Sequence, residues 1–246
     1  MRKYISDLPW YDEPLMFSMV DWLRDNQARM NDLMYYPAEC GGQVHTTFMH
    51  GDYRFDNFFF RETNGEMLLF DFQLSRECCP EMDLAWFIYA SPGKDSACIT
   101  SEAKLIKHYY TELKFKLGPD RAADYTLEEC VLMYVLCLSQ VGLLMTLGHA
   151  TMDTAHRKGG RSIELYRGMF ESMVTLWKRW DCMNVAEGIV SHGLARRKAA
   201  QAKDPESKGG VLTPAEARGL FAKLVSKENR ERMGLTENRE RRLTEL

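Results

Sequence analysis

Two short apolar runs, FFF at residues 58–60 and MLLF at residues 67–70, flank a segment containing Asn64-Gly65. Asn-Gly between apolar runs is the strongest short-range hairpin signal, because both residues tolerate positive φ. With Asn64 and Gly65 as a two-residue loop, Glu66 pairs with Thr63 and Asp71 pairs with Phe58. That register sets Asp71 one residue from Asn57 across the ladder, where neighbours lie roughly 5 Å apart. An ideal pleat points Asn57 and Asp71 to opposite faces, so one of them is expected to leave strand geometry at the loop edge. Just upstream lies HGDYRFDN, residues 50–57. Three oxygen-bearing side chains, Asp52, Asn57 and Asp71, therefore converge on one end of one hairpin.

Such a cluster suits phosphoryl transfer. Mg²⁺ prefers carboxylate and amide oxygens together with phosphate oxygens, a role that Asn57 and Asp71 fit. A separate carboxylate must orient the attacking hydroxyl or amine and take its proton, a role that Asp52 fits. The competing reading of all three is turn chemistry, which Asp and Asn favour anywhere. A lone His such as His50 is ordinarily a hydrogen-bonded scaffold residue. Asp83 opens the apolar run DLAWFIYA and reads as an N-cap or first-turn carboxylate. Phe58, Phe59 and Phe60 read as core.

The ordered combination of His50-x-Asp52, Asn57 five residues on, Asp71-Phe72-Gln73, Pro80 and Asp83-Leu84-Ala85 resembles the aminoglycoside phosphotransferase and choline kinase superfamily. The ecdysteroid-kinase-like branch is among the most similar. The likeness is sharpest over residues 48–90 and weaker to about residue 180. It implies an α+β, mainly helical fold like the C-terminal lobe of a protein kinase, with a catalytic-loop β-hairpin. It also implies a function: ATP-dependent phosphorylation of a small-molecule hydroxyl or amine, with Asp52 as base and Asn57 and Asp71 holding Mg²⁺ and ATP. His50 and Asp83 would brace the catalytic loop. The alternative reading is a catalytically inactive, pseudokinase-like binding module.

The family's nucleotide site needs an N-terminal sheet with a phosphate-covering loop and a Lys. The residues before His50 read as one helix with flanks, so the chain is expected to be the C-terminal lobe alone. A missing N-terminal lobe or partner chain would then complete the site. The family's substrates include aminoglycosides, choline and sterols, and nothing in the helical region selects one.

Around this centre the pattern is helical. Residues 14–35 carry an apolar stripe, Leu15, Met16, Met19, Val20, Leu23, Met30, Leu33 and Met34, with Pro14 in the first turn and Pro37 past the end. A Met-rich stripe of this kind is core. Thr46 to Met49 reads as a short strand, 74–82 as a loop in which Arg76 and Glu77 are solvated or touch substrate, and 83–91 as a helix. Thr100 or Ser101 caps a helix that Gly118-Pro119 stops. Thr126 and Glu129 form a capping box on a long buried helix over 126–148. A basic run, HRKGGR at residues 156–161, reads as a surface loop with a phosphate-binding alternative, and 162–181 as an amphipathic helix.

Composition narrows the rest. A net charge of −3 gives no general case for nucleic acid. The longest apolar run, 131–147, is interrupted by Ser139, Gln140 and Thr146 and reads as a buried helix rather than a membrane span. Seven cysteines, an odd number without framework spacing, and no apolar leader at the start fit reduced thiols in a cytoplasmic protein. From Gly193 onward there are 13 Lys/Arg against 8 Asp/Glu. This shift divides the chain into a kinase-like unit, 1–192, and a charged tail, 193–246. In the tail, Thr213, Pro214 and Glu216 signal a capped helix with Leu220, Phe221 and Leu224 on one face. The final charged run, from 227 on, reads as solvated or disordered, with a docking helix as the alternative.

Overall fold

The computed structural model describes residues 6–34, 45–147, 162–207 and 212–235. Its elements in chain order are α1 (Glu13–Met34), β1 (Thr47–Met49), β2 (Phe58–Phe60), β3 (Met67–Leu69), β4 (Arg76–Cys78), α2 (Glu81–Tyr89), α3 (Ala97–Thr100), α4 (Glu102–Ala122), α5 (Leu127–Leu147), α6 (Ser162–Trp180), α7 (Cys182–Gln201), α8 (Pro214–Leu224) and α9 (Lys227–Arg232). The protein is mainly helical, with a small β part of two antiparallel strand pairs, β1–β4 and β2–β3.

Helix α5 is the axis of the core. Every residue from Cys130 to Val141 is buried, because the helix is apolar on all sides and must be surrounded. It packs against α1, α2, α4, α6, α7 and α8. The α1 stripe meets it through Met16, Met19, Leu23, Met30 and Met34, all buried. Phe170, Met173, Val174 and Trp177 of α6 close the opposite side. At the start of α5, Thr126 Oγ1 accepts from Glu129 N at 3.1 Å. The Glu129 carboxylate turns to His45 Nδ1 at 2.9 Å, so it leaves the expected box half made.

Helix α4 stops once inside its span. Gly118 leaves helical geometry at φ 77° and ψ 168°, and Pro119 opens a further short turn. The expected stop is thus present, although the helical residues resume beyond it.

The hairpin differs from the two-residue expectation. Phe58 pairs with Leu69, Phe59 with Leu68 and Phe60 with Met67. Arg61 N donates to Glu66 O at 2.8 Å and Gly65 N to Arg61 O at 2.8 Å, which makes a four-residue loop over 62–65. Gly65 takes the positive φ, 69°, and the Asn64 side chain accepts from Glu66 N at 3.0 Å. The longer turn moves the register by two residues. Phe70 N donates to Asn57 O at 3.2 Å, and Asp71 follows immediately.

Two further expectations are corrected. Residues 74–82 are not one loop, because Arg76–Cys78 pairs with β1, Met49 opposite Arg76 and Thr47 opposite Cys78. A strand reading Arg-Glu-Cys has no apolar alternation, so only its distant partner specifies it. Phe58 to Phe60 are not core either: Phe59 and Phe60, on opposite faces of the hairpin, are each 62% exposed.

The charge change at residue 193 falls inside α7, where Gly193 is buried, and so does not coincide with a helix end. Beyond it, Thr213 makes the full capping box with Glu216, and Ala217, Leu220, Phe221, Val225 and Met233 join the same core. Residues 227–232, expected to be solvated or disordered, form α9. The buried Asn229 donates from Nδ2 to Arg179 O at the end of α6, 2.6 Å.

Helix α9 also reaches a buried carboxylate. Glu102, fully buried, accepts from Tyr134 Oη (2.7 Å), Trp180 Nε1 (2.6 Å), Arg179 Nη1 (2.7 Å) and Arg232 Nη2 (2.9 Å). The Arg232 guanidinium lies over the Trp180 ring, 5.7 Å from its centroid. The run at 156–161 and residues 236–246 lie outside the described residues. No helix among the described residues is long and apolar enough to cross a membrane.

Candidate active site

The loop between β1 and β2 is held by its own backbone and by α2. Asp83, in the first turn of α2, accepts from His50 N at 2.7 Å and from Gly51 N at 2.9 Å. One carboxylate thus binds two successive amides that no strand partner satisfies. His50 is buried. Its Nδ1 accepts from Asp52 N at 3.2 Å, so its Nε2 carries the proton and donates to Phe70 O at 2.8 Å. The ring therefore ties the loop to the strand that leads into Asp71. Gly51 sits at φ +87°, and a Cβ there would lie 2.4 Å from Leu74 O, so only glycine fits.

Asp52 and Asn57 are both buried. Asn57 ends a 3₁₀ turn over Phe55–Asn57 rather than sitting in the strand. Its Nδ2 donates to Asp52 O at 2.8 Å and to Asp52 Oδ2 at 3.1 Å. Its Oδ1 accepts nothing from the described residues, which leaves the amide oxygen available. Asp71 takes the left-handed conformation, φ 66° and ψ 58°, with an exposed side chain. The pleat conflict expected from the sequence is resolved by both residues leaving strand geometry.

The structure brings together all five residues singled out from sequence: Asp52, Asn57 and Asp71 at one end of the hairpin, with His50 and Asp83 bracing them. Two more complete the surroundings of Asp52. Trp86 Nε1 donates to Asp52 Oδ1 at 3.0 Å, and Arg54 Nε lies 3.3 Å from the same oxygen. Trp86 was legible in principle, since it follows Asp83 by three residues on one helix and shares its face. Arg54 carried no signal beyond its place two residues after Asp52. Arg76 and Glu77 lie exposed on β4, where Glu77 accepts from Thr46 Oγ1 at 2.6 Å.

A second polar cluster sits behind the loop. Glu81, two residues before Asp83, is wholly buried and accepts from Tyr125 Oη. Burial pushes its carboxyl up to about 8, against the smaller opposing effect of the Tyr125 bond. The hydrogen bond to Glu129 raises His45 above its ordinary value. An unfolded Glu ionises near its ordinary value, whereas folded Glu81 keeps its proton to about 8. Between those limits the folded state binds more protons, so stability falls as pH rises, by at most about 1.4 kcal/mol per pH unit for one group. His45 acts in the same direction, because its contribution is lost as pH rises through its elevated value. Urea midpoints from pH 5 to 8.5 should fall, and Glu81→Gln should flatten the slope. An unchanged slope in that variant would show that Glu81 is ionised throughout.

The six described cysteines are free. Cys79 Sγ lies 3.1 Å from Cys137 Sγ. The bond with Cys137 holds the Cys79 thiol well above the ordinary range, and burial pushes Cys137 up to about 12, which suits inert thiols. Among the described residues no three His, Cys, Asp or Glu side chains make a metal site. The Asn57 and Asp71 pair is one amide and one carboxylate, a set that needs phosphate oxygens to complete a shell.

Residues 17–118 match the model of the ecdysteroid kinase-like family. The matched segment runs from α1 to the break in α4 and includes every site residue named above. It supports placing this part of the chain with the kinase-like small-molecule phosphotransferases. No curated protein and no solved structure matches the chain.

Proposed function

We propose that this protein transfers the γ-phosphoryl group of Mg-ATP to a hydroxyl or amine of a small molecule. The observation that carries this reading is the division of labour in one turn. Asn57 spends its amide hydrogens on Asp52 and keeps its oxygen open, while Asp71 leaves the ladder beside it in a left-handed bend. Asn57 Oδ1 and the Asp71 carboxylate would hold Mg²⁺, which when bound neutralises charge on the β and γ phosphates. Asp52 orients the acceptor O–H or N–H and takes its proton. The bond from phosphorus to the acceptor forms as the bond to the ADP oxygen breaks. Asp83 and His50 keep the Asp52 loop in place through the amides of His50, Gly51 and Asp52.

The hairpin that carries this centre is apolar on both faces and largely uncovered. Phe48, Phe55, Phe72 and Leu74 nearby are exposed as well. Exposed apolar surface of this kind marks a contact site. We therefore assign it to a nucleotide-covering lobe, supplied in the same polypeptide or by another chain.

Calorimetric titration tests the metal assignment. Mg²⁺ alone should bind negligibly, since it dehydrates reluctantly and finds only two protein oxygens. Mg-ATP should bind weakly to this chain and more tightly once the covering lobe is supplied, and Asp71→Asn should remove most of that gain. Equal Mg-ATP affinity in wild type and Asp71→Asn would refute the assignment. If no nucleotide bound under any of these conditions, the chain would be a binding module instead.

A further inference from the structure

Arg54 is placed where a structural role does not account for it. Asp52 is already oriented by two neutral donors, Trp86 Nε1 on Oδ1 at 3.0 Å and Asn57 Nδ2 on Oδ2 at 3.1 Å. Arg54 adds only a charge contact, Nε to Oδ1 at 3.3 Å, without hydrogen-bond geometry. Its Nε is buried and has no hydrogen-bond partner. The rest of the guanidinium donates to no described residue, although the side chain is only one-third exposed. A guanidinium is a rigid fork of five donors suited to paired anionic oxygens. Removing such a group from water without acceptors is costly. In a folded protein such a cost marks a group that completes its bonds with something else.

The backbone fixes where that partner must be. Arg54 N donates to Asp52 O at 3.0 Å, and Asn57 N donates to Arg54 O at 2.9 Å. Arg54 therefore stands inside the turn between the base and the open amide oxygen. Resting on the phosphotransferase reading, we propose that Arg54 is a catalytic residue that binds the equatorial oxygens of the phosphoryl group in flight. In the resting protein the Asp52 carboxylate occupies the guanidinium loosely. When the acceptor hydroxyl or amine takes its place on Asp52, the phosphorus to be attacked lies in contact with the acceptor atom, about 3–3.5 Å away. The fork then exchanges a poor contact for charged hydrogen bonds to the transferring group. Phosphorus–oxygen bond making and breaking are unchanged by this residue, and the acceptor proton still goes to Asp52. A different source of the same chemistry is a carboxylate or phosphate belonging to the acceptor, and the two sources give different results.

The probe is Mg-ADP with aluminium fluoride, a mimic of the phosphoryl group in transfer, with the covering lobe present. Wild-type protein should trap it. Arg54→Ala should bind Mg-ADP alone within about threefold of wild type, yet trap the fluoride complex on the order of 100-fold more weakly. Arg54→Lys should recover part of the loss as a point charge without the fork, and millimolar guanidinium should restore trapping in Arg54→Ala. In turnover, kcat should fall by a similar factor while KM for the acceptor is unchanged, and Arg24→Ala, a surface arginine on α1, should match wild type throughout. Normal trapping by Arg54→Ala overturns the proposal, as does an equal loss of Mg-ADP affinity. A rise in acceptor KM at unchanged kcat overturns it in favour of an acidic acceptor. Failure of the wild-type protein to bind Mg-ADP at all would overturn the phosphotransferase reading itself, and the role of Arg54 with it.

Discussion

Asp52→Asn should lower kcat for phosphoryl transfer by about 10²–10⁴-fold, the range expected for loss of a positioned general base. The variant keeps the shape of the side chain but offers one acceptor oxygen where the carboxylate offers two. Trp86 Nε1 and Asn57 Nδ2 now bond different oxygens of Asp52, so one donor loses its partner. That loss should cost about 1–3 kcal/mol of stability, leaving the fold populated. Asp52→Ala, which releases both donors, should be at least as inactive. ATP-dependent transfer to a panel of hydroxyl and amine acceptors, with a denaturation curve for each variant, separates chemistry from folding. Substantial residual turnover in either variant would remove Asp52 from the mechanism.

Glu102→Ala should destabilise the protein by about 3–5 kcal/mol, the range for breaking a buried ion pair by removing one partner. The substitution leaves Arg179 and Arg232 half-buried without their carboxylate and orphans the Tyr134 hydroxyl and the Trp180 indole. Against a typical total of about 5–15 kcal/mol, this is a large fraction. Glu102→Gln should fall between wild type and Ala, because it retains one acceptor oxygen. Arg232→Ala should be clearly non-additive with Glu102→Ala in a double-mutant cycle, since the two side chains share one bond. Denaturant midpoints read the effect, and a loss below about 1 kcal/mol for Glu102→Ala would mean that helix packing alone retains α9.

How much of this was legible in the sequence depends on how local each cause is. Helices α1 and α6 are readable because their apolar residues recur at helical spacing, and α5 because a long apolar run follows the cap signal at Thr126. The box at Thr213 and Glu216 was readable because both partners lie within one turn. The spacing of His50, Asp52, Asn57, Asp71 and Asp83 named residues that the fold brings to one place. Strand β4 was not readable, since Arg76, Glu77 and Cys78 acquire their conformation from β1, some 30 residues earlier. The hairpin register was missed by two because Asn64-Gly65 also suits a four-residue loop. The exposure of Phe59 and Phe60 inverts the ordinary expectation that a run of aromatic residues is buried. The charged residues of α9 look solvated in the sequence because periodicity shows no partner for Arg232, and Glu102 lies 130 residues away.

That distance has a consequence for how the protein is made. A ribosome emits Glu102, Tyr134 and Trp180 long before Arg232, and domains form as the chain is synthesised. During that interval the nascent chain holds a carboxylate that must enter an apolar interior with one of its two guanidinium partners not yet in existence. Met233 and Asn229, which close the same corner, are equally late. The segment from His50 to Leu74 therefore emerges early, into a body whose buried carboxylate still lacks a partner.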